Sequence, residues 1–115
     1  NTIVHAYIAS DGTSGEITDG VLFDASGVTP SASDSTILSI QGCLVGFTAT
    51  IEFDGITDQE ILVLPQDSEF SFEFKGNIDG LGNSAAGKTG DITITTSDLA
   101  TIGDHGWLMM EVLKA

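Results

Sequence analysis

Apolar and polar residues alternate along three segments of this chain with the period of a β-strand. In residues 47–54, 70–75 and 92–95 every second side chain is apolar, and the side chains between them are polar. Successive side chains of a strand point to opposite faces, so this pattern places one face of each segment on a core and the other in water. The three segments are therefore predicted to be half-buried β-strands.

Five further segments have β-type composition, and turn-forming residues separate them. They cover residues 3–9, 17–24, 36–45, 60–64 and 106–113, with turn chemistry at Asp11-Gly12, Asp54-Gly55, Asp79-Gly80 and Gly103-Asp104. Residues 97–102 come closest to a helical run, which is too short to form an independent helix. About eight short strands in 115 residues predict a single all-β domain over residues 1–115. We expect an antiparallel β-sandwich or barrel, of which the jelly roll is one form.

Two strand segments carry apolar residues on both faces. Residues 107–113 are the longer of the two, and residues 61–64 form a shorter one that precedes Pro65. Such a strand lies either between two layers of the protein or against a neighbouring subunit. We favour the first arrangement, and we expect Pro65 at a strand end or edge because proline lacks the backbone N–H.

The charge of the chain is strongly one-sided. Seventeen acidic residues stand against three lysines (Lys75, Lys88 and Lys114) and no arginine, which gives a net charge of -14. A polyanion would be repelled, so nucleic acid is excluded as a partner.

The apolar runs are far shorter than the ~20 residues that span a bilayer, and the N-terminus shows no charged leader, so no membrane partner is expected. The single Cys43 is predicted to be a small semi-buried core residue rather than a reactive thiol.

One motif matches a nucleotide-binding pattern. Residues 82–89, Gly-Asn-Ser-Ala-Ala-Gly-Lys-Thr, satisfy the phosphate-loop pattern G-x-x-x-x-G-K-[ST]. A working loop follows a buried strand and opens a helix, whereas a β-type segment follows Thr89 here. We therefore interpret Gly82–Thr89 as a surface loop and predict no cofactor.

Candidate metal and catalytic groups are weak. Asp54 with Asp58, Asp11 with Glu16, or Asn77 with Asp79 could offer oxygens to calcium, but none has the spacing of a calcium loop, so solvated turn acids and no metal site are expected. His105 beside Asp104 is interpreted as a turn, and His5 lies on the first predicted strand. An acid-pair glycoside hydrolase needs two carboxylates in a cleft, for which the chain is small. No catalytic residue and no enzymatic activity are predicted.

Several stretches of the chain resemble one family. They include His-Ala-Tyr-Ile-Ala-Ser-Asp-Gly at residues 5–12 and Gly-Lys-Thr-Gly-Asp at residues 87–91. The full set covers residues 5–12, 15–19, 21–26, 49–54, 58–65 and 87–92. In these turn and strand patterns the chain resembles small virion proteins encoded beside the major capsid protein of tailed bacteriophages.

The resemblance implies a capsid decoration (cement) protein that binds the outside of an icosahedral shell and stabilises it. It implies the major capsid protein as partner, a homo-oligomer with a trimer favoured, synthesis in the bacterial cytoplasm, and a final place on the outer capsid surface. We predict that Ile3, His5, Tyr7, Trp107 and Met109 contribute to the subunit or capsid contact. Alternatives are a carbohydrate-binding adhesion module, in which Tyr7 and Trp107 would stack on sugars, and a tail or baseplate component.

Overall fold

The computed structural model describes residues 2–10, 16–27, 34–74, 80–99 and 101–114. Within these residues, nine strands and one short 3-10 turn form the fold. The strands are β1 (Thr2–Ala9), β2 (Gly20–Phe23), β3 (Ser35–Val45), β4 (Thr48–Phe53), β5 (Gln59–Leu64), β6 (Ser68–Glu73), β7 (Leu81–Gly82), β8 (Ile92–Ser97) and β9 (His105–Lys114), with the 3-10 turn at Ala25–Gly27. The predicted all-β fold is confirmed.

The strands form two antiparallel sheets. Sheet A has the order β1-β9-β3-β6, with the two-residue β7 paired to β3, and sheet B has the order β2-β8-β4-β5. Neighbouring strands are antiparallel throughout. With β7 set aside, the eight remaining strands have the order of a two-sheet jelly roll. The sequence expectation of a sandwich is therefore confirmed.

The core lies between the two sheets. Sheet A contributes Ile40, Leu44, Leu108, Met110 and Val112, each without exposed surface. Sheet B contributes Phe53, Ile51, Ile92 and Leu64, also fully buried, with Ile94 and Ala49 nearly so. The side chains of each strand alternate between this core and the outside. The outer faces of the two sheets are consequently the two broad surfaces of the domain.

The second predicted strand is shorter in the structure than in the sequence analysis. It was expected over residues 17–24, whereas β2 covers only Gly20–Phe23. Asp19 adopts a positive φ of 51°, which takes the backbone out of the extended conformation. Ile17 nevertheless stays beside β8, since its N–H donates to Thr96 Oγ1 and its carbonyl accepts from Thr96 N–H, both at 2.9 Å.

The longer two-sided apolar strand, β9, is central in its sheet but covered on only one face. Leu108 and Met110 point into the core, whereas Trp107 and Leu113 point outward and are 40% and 44% exposed. The expectation that both faces of this strand lie between layers of the same domain is therefore wrong. The shorter one, β5, is an edge strand of sheet B, and Pro65 follows its last residue, as predicted.

Candidate functional site

All five residues predicted to contribute to an interface lie together on the outer face of sheet A. In the β1–β9 register, Tyr7 is opposite Trp107 and His5 is opposite Met109, while Ile3 occupies the next row, opposite Glu111. Residues opposite each other in an antiparallel pair point to the same face of the sheet. The five residues, called the apolar face below, are Ile3, His5, Tyr7, Trp107 and Met109.

The apolar face is open to solvent. Tyr7 is 71% exposed and Ile3 is 59% exposed, and Trp107 lies among them. The structure excludes a core position for Trp107, and its place at an interface stays a prediction. The ring of His5 meets the Trp107 indole edge-on, with centroids 6.4 Å apart and planes at 85°. This contact holds the largest side chain of the face in a defined orientation.

The apolar face continues into a polar margin on β3 and β6. Gln41 lies opposite Met109, and its Nε2 approaches the methionine sulfur at 3.9 Å. A shallow groove of about 370 Å³ runs beside Trp107 towards Glu69 and Ser71 of β6. Glu73 lies two residues further along the same edge strand and is exposed. One side of the apolar face is therefore lined by carboxylates.

The structure separates the groups that were considered for catalysis. Cys43 is half-buried, as predicted, but it lies opposite Trp107 on the outer face of sheet A, so its predicted place in the core is wrong. His105 is the first residue of β9, and its Nδ1 donates to the Gly103 carbonyl at 2.7 Å. Asp104 instead accepts from Thr101 N–H through Oδ2. These side chains form no nucleophile–base arrangement.

The phosphate-loop match lies in an irregular segment that leads into a strand. Gly82 ends β7, and β8 begins three residues after Thr89, so the predicted strand after the motif is confirmed. Lys88 Nζ binds Asp34 Oδ2 at 2.9 Å and the Asn83 carbonyl at 3.2 Å. Thr89 Oγ1 donates to Asp54 Oδ2 at 2.8 Å. A nucleotide loop requires a helix N-terminus at this point, and the described residues after the motif supply a strand.

Three acidic side chains converge on the outer face of sheet B. Asp19 precedes β2, Glu52 is on β4 and Asp58 precedes β5, and one carboxylate oxygen of each lies within 4.8 Å of the others. Glu52 Oε1 accepts a hydrogen bond from Thr95 Oγ1 at 2.6 Å, and Thr95 Oγ1 accepts from Asp19 N–H at 3.1 Å. We call Asp19, Glu52 and Asp58 the acidic cluster.

The electrostatics of the acidic cluster are unfavourable in the absence of a cation. Glu52 is only 8% exposed. Burial raises the pKa of Glu52, the Thr95 hydrogen bond lowers it, and the charges of Asp19, Asp58 and Glu60 raise it further, so that the net direction is upward. At an effective dielectric constant of about 20, two unit charges ~4 Å apart repel each other by about 4 kcal/mol. A proton or a cation would relieve this repulsion.

The acids that were considered in pairs for calcium have different partners in the structure. Asp58 joins Asp19 and Glu52, while Asp54 accepts from Thr89. The pair Asn77 with Asp79, and Asp11, lie outside the described residues. Glu16 accepts hydrogen bonds from Leu99 N–H at 2.8 Å and from Thr96 Oγ1 at 2.9 Å. These bonds link the segment before β2 to the start of the β8–β9 connection. Sequence reasoning missed Asp19 and Glu52 because their partners are remote in sequence.

Comparison of the chain with protein-family models, with curated proteins and with solved structures finds no match. Within the described residues, no helix has the length and apolar character to cross a membrane.

Proposed function

We propose that this chain is a structural virion protein of a tailed bacteriophage that binds the outside of the capsid through the apolar face of sheet A. The observation that carries the proposal is the clustering of five predicted interface residues from two strands on one solvent-exposed sheet face. The mechanism is binding without catalysis. A protein that binds the assembled shell and not the dispersed subunits stabilises the shell by mass action.

The size of the face suits a protein–protein contact. Strands in a sheet lie about 4.8 Å apart and rise about 3.3 Å per residue, so the whole outer face of sheet A, made of the apolar face and its polar margin, presents roughly 550 Å². A standard interface buries about 800 Å² on each partner. The exposed apolar side chains elsewhere in the described part of the chain are dispersed; for example, Val21 and Val63 lie on opposite edge strands of sheet B. Sheet A therefore carries the contiguous apolar surface that docking requires.

The charge pattern specifies what the partner surface must offer. Glu69 and Glu73 lie along the β6 side of the apolar face, and the whole chain has a net charge of -14. A capsid surface that binds this face would place apolar groups opposite Trp107 and basic groups opposite β6. The same negative charge would repel the packaged DNA and keep virions dispersed.

The decisive experiment is co-sedimentation of the purified protein with expanded capsids from which this component has been stripped, with bound copies counted on gels. We expect saturable binding at a stoichiometry set by the capsid lattice. Failure of the folded protein to bind intact shells would contradict the proposal and favour a tail or baseplate component.

A matched pair of substitutions tests whether the apolar face makes the contact. Ile3 belongs to the face, whereas Ile56 is 88% exposed and lies between β4 and β5 of the other sheet. We expect Ile3→Ser and Trp107→Ala to weaken capsid binding at least tenfold, because each removes a side chain that docking would bury. Ile56→Ser is the control and should bind as the wild type does. Equal retention of all three variants would refute this choice of surface.

A homo-oligomer, with a trimer favoured, is part of the proposal because the decoration proteins that the chain resembles often form trimers at three-fold positions. Sedimentation velocity measures it directly. A trimer in free solution, or a monomer that binds in threes at the shell, would agree with the proposal. A monomer bound at a number of copies unrelated to three-fold positions would contradict it.

The pairing of Tyr7 with Trp107 favours one second candidate, a carbohydrate-binding adhesion module. The two aromatic residues are direct neighbours on the exposed face, and aromatic rings of this kind can stack on sugar rings. The jelly-roll architecture serves both viral capsid and lectin domains, so the fold does not separate the two candidates. A glycan array separates them: binding that is lost in Tyr7→Ala would support the adhesion module.

A further inference from the structure

We propose that Asp19, Glu52 and Asp58 form a binding site for a divalent cation, with calcium as the ion that the site prefers. The acidic cluster lies on sheet B, on the opposite side of the domain from the apolar face. The proposal therefore goes beyond the proposed function and does not depend on it.

The spacing of the oxygens fits calcium. One carboxylate oxygen of each acid lies within 4.8 Å of the other two. Calcium binds oxygens at about 2.3–2.6 Å in a flexible geometry, whereas magnesium demands near-octahedral geometry at about 2.0–2.1 Å and gives up its waters reluctantly. Small rotations of the three side chains would bring one oxygen of each onto a single calcium ion, and backbone oxygens or water would complete its shell of six to eight ligands.

A buried hydroxyl beside the acidic cluster is the second observation. Thr93 is 2% exposed, and its Oγ1 is buried without a hydrogen-bond partner. In the β4–β8 register Thr93 is directly opposite Glu52, so the two side chains share the outer face of the sheet. A buried hydroxyl without a partner is costly, and an oxygen facing a cation would be satisfied.

The strand register directs the acidic cluster over Thr93. Asp19 N–H meets β8 at Thr95, on one side of Thr93. Asp58 belongs to the turn that follows β4. In that turn the Asp54 N–H donates to the carbonyl of Asp91, so the turn lies on the other side of Thr93 from Asp19. Asp19 and Asp58 thus approach from the two neighbouring rows, and Glu52 lies in the row of Thr93 itself. The acidic cluster and the Thr93 hydroxyl therefore share one region of the outer face of sheet B.

Side chains in the described part of the chain supply no positive charge to this cluster. The sequence contains no arginine, and Lys88, whose side chain is described, binds Asp34 instead. A calcium ion would compensate the carboxylates and would tie together the entry to β2, strand β4 and the β4–β5 turn. Calcium should consequently stabilise the folded domain.

Thermal unfolding and isothermal titration calorimetry with calcium chloride test the site. For a dissociation constant of about 0.1 mM, 10 mM calcium should raise the Tm by about 10 °C relative to a chelator-treated sample at equal ionic strength. Magnesium chloride at the same concentration should give a smaller shift. Titration should give one ion per chain. Absence of a calcium-dependent shift and of binding heat up to 10 mM would overturn the proposal, and an equal effect of magnesium would overturn the preference for calcium.

Two acid-to-amide variants and a matched control assign the ligands. Glu52→Gln and Asp19→Asn should each abolish most of the calcium-dependent shift. Without calcium, Glu52→Gln should melt no lower than the wild type because the substitution relieves repulsion within the acidic cluster. Glu69→Gln makes the same chemical change on the exposed strand β6 of the other sheet and should keep the full shift. A full shift in both cluster variants would refute the site. If Glu52→Gln does not fold, the exposed Asp19→Asn decides alone.

Discussion

The close contact between β3 and β9 at Gly42 predicts that the substitution Gly42→Ala strongly destabilises the folded domain. Gly42 lies opposite Leu108 of β9 and opposite Phe70 of β6. A Cβ added there would lie 2.2 Å from the Trp107 carbonyl oxygen and 2.9 Å from Leu108 Cα. Because both atoms belong to the backbone, no side-chain rotation can relieve the overlap.

The magnitude of the Gly42→Ala effect follows from how far the strands must separate. Ordinary contact begins near 3.4 Å, so the two backbones must separate locally by about 1 Å. Overpacking of this kind costs about 1–3 kcal/mol, and each loosened ladder hydrogen bond costs about 1 kcal/mol more. We expect a loss of about 3–4 kcal/mol, a large share of the total stability of a domain of this size. The corresponding fall in Tm is about 12–16 °C.

Gly82→Ala is the matched control for this prediction. A Cβ at Gly82 would meet nothing within 4 Å, and Gly82 is not among the positive-φ glycines. Both substitutions reduce the freedom of the unfolded chain equally, so this contribution cancels in the comparison. Circular dichroism melts of the two variants should differ by more than 10 °C. Tm values within ~2 °C of each other would refute the reasoning and the β3–β9 register on which it rests.

Two further predictions concern acid stability and the core. Burial of Glu16 acts to raise its pKa, but hydrogen bonds from Leu99 N–H, Thr96 Oγ1 and Asp98 N–H outweigh it and lower the pKa. The stabilisation by ionised Glu16 is therefore complete above the unfolded pKa near 4.3 and is lost as the pH falls through the lower folded pKa. The Glu16→Gln variant should have a lower Tm than the wild type at pH 7, and the two Tm values should approach each other at pH 3. A difference in Tm that does not change with pH would contradict this prediction. Met110→Ala should lower the free energy of unfolding, measured in urea, by about 2–5 kcal/mol because Met110 is fully buried. A loss no larger than that for truncation of a solvent-exposed side chain would show that Met110 is not packed in the core.

The sequence predicted local structure well where one face of a strand is buried. Ile51, Phe53 and Ile92 lie at alternating positions of β4 and β8, and the structure buries all three. The prediction failed near Asp19, where a single residue with positive φ ends the extended backbone. The alternation of apolar and polar residues cannot reveal a residue with positive φ, because aspartate is also common in turns with ordinary dihedral angles.

The candidate sites depended on the structure to different degrees. Ile3, Tyr7 and Trp107 could be selected from the sequence as apolar residues on strands, but their common exposed face arises from the pairing of β1 with β9, the first and last strands. The acidic cluster could not be found, since Asp19 and Glu52 are brought together through β8, which lies between their strands.

The sequence by itself determined the all-β class, the approximate strand positions and the acidic surface, because the two-residue period and the composition are local properties of the chain. Only the tertiary structure decided the strand order, the covering of one face of β9 and the exposure of the other, and the convergence of Asp19, Glu52 and Asp58. These features depend on which strands pair and in which register. Pairing is a long-range choice, and a shift of one residue moves every side chain of a strand to the opposite face.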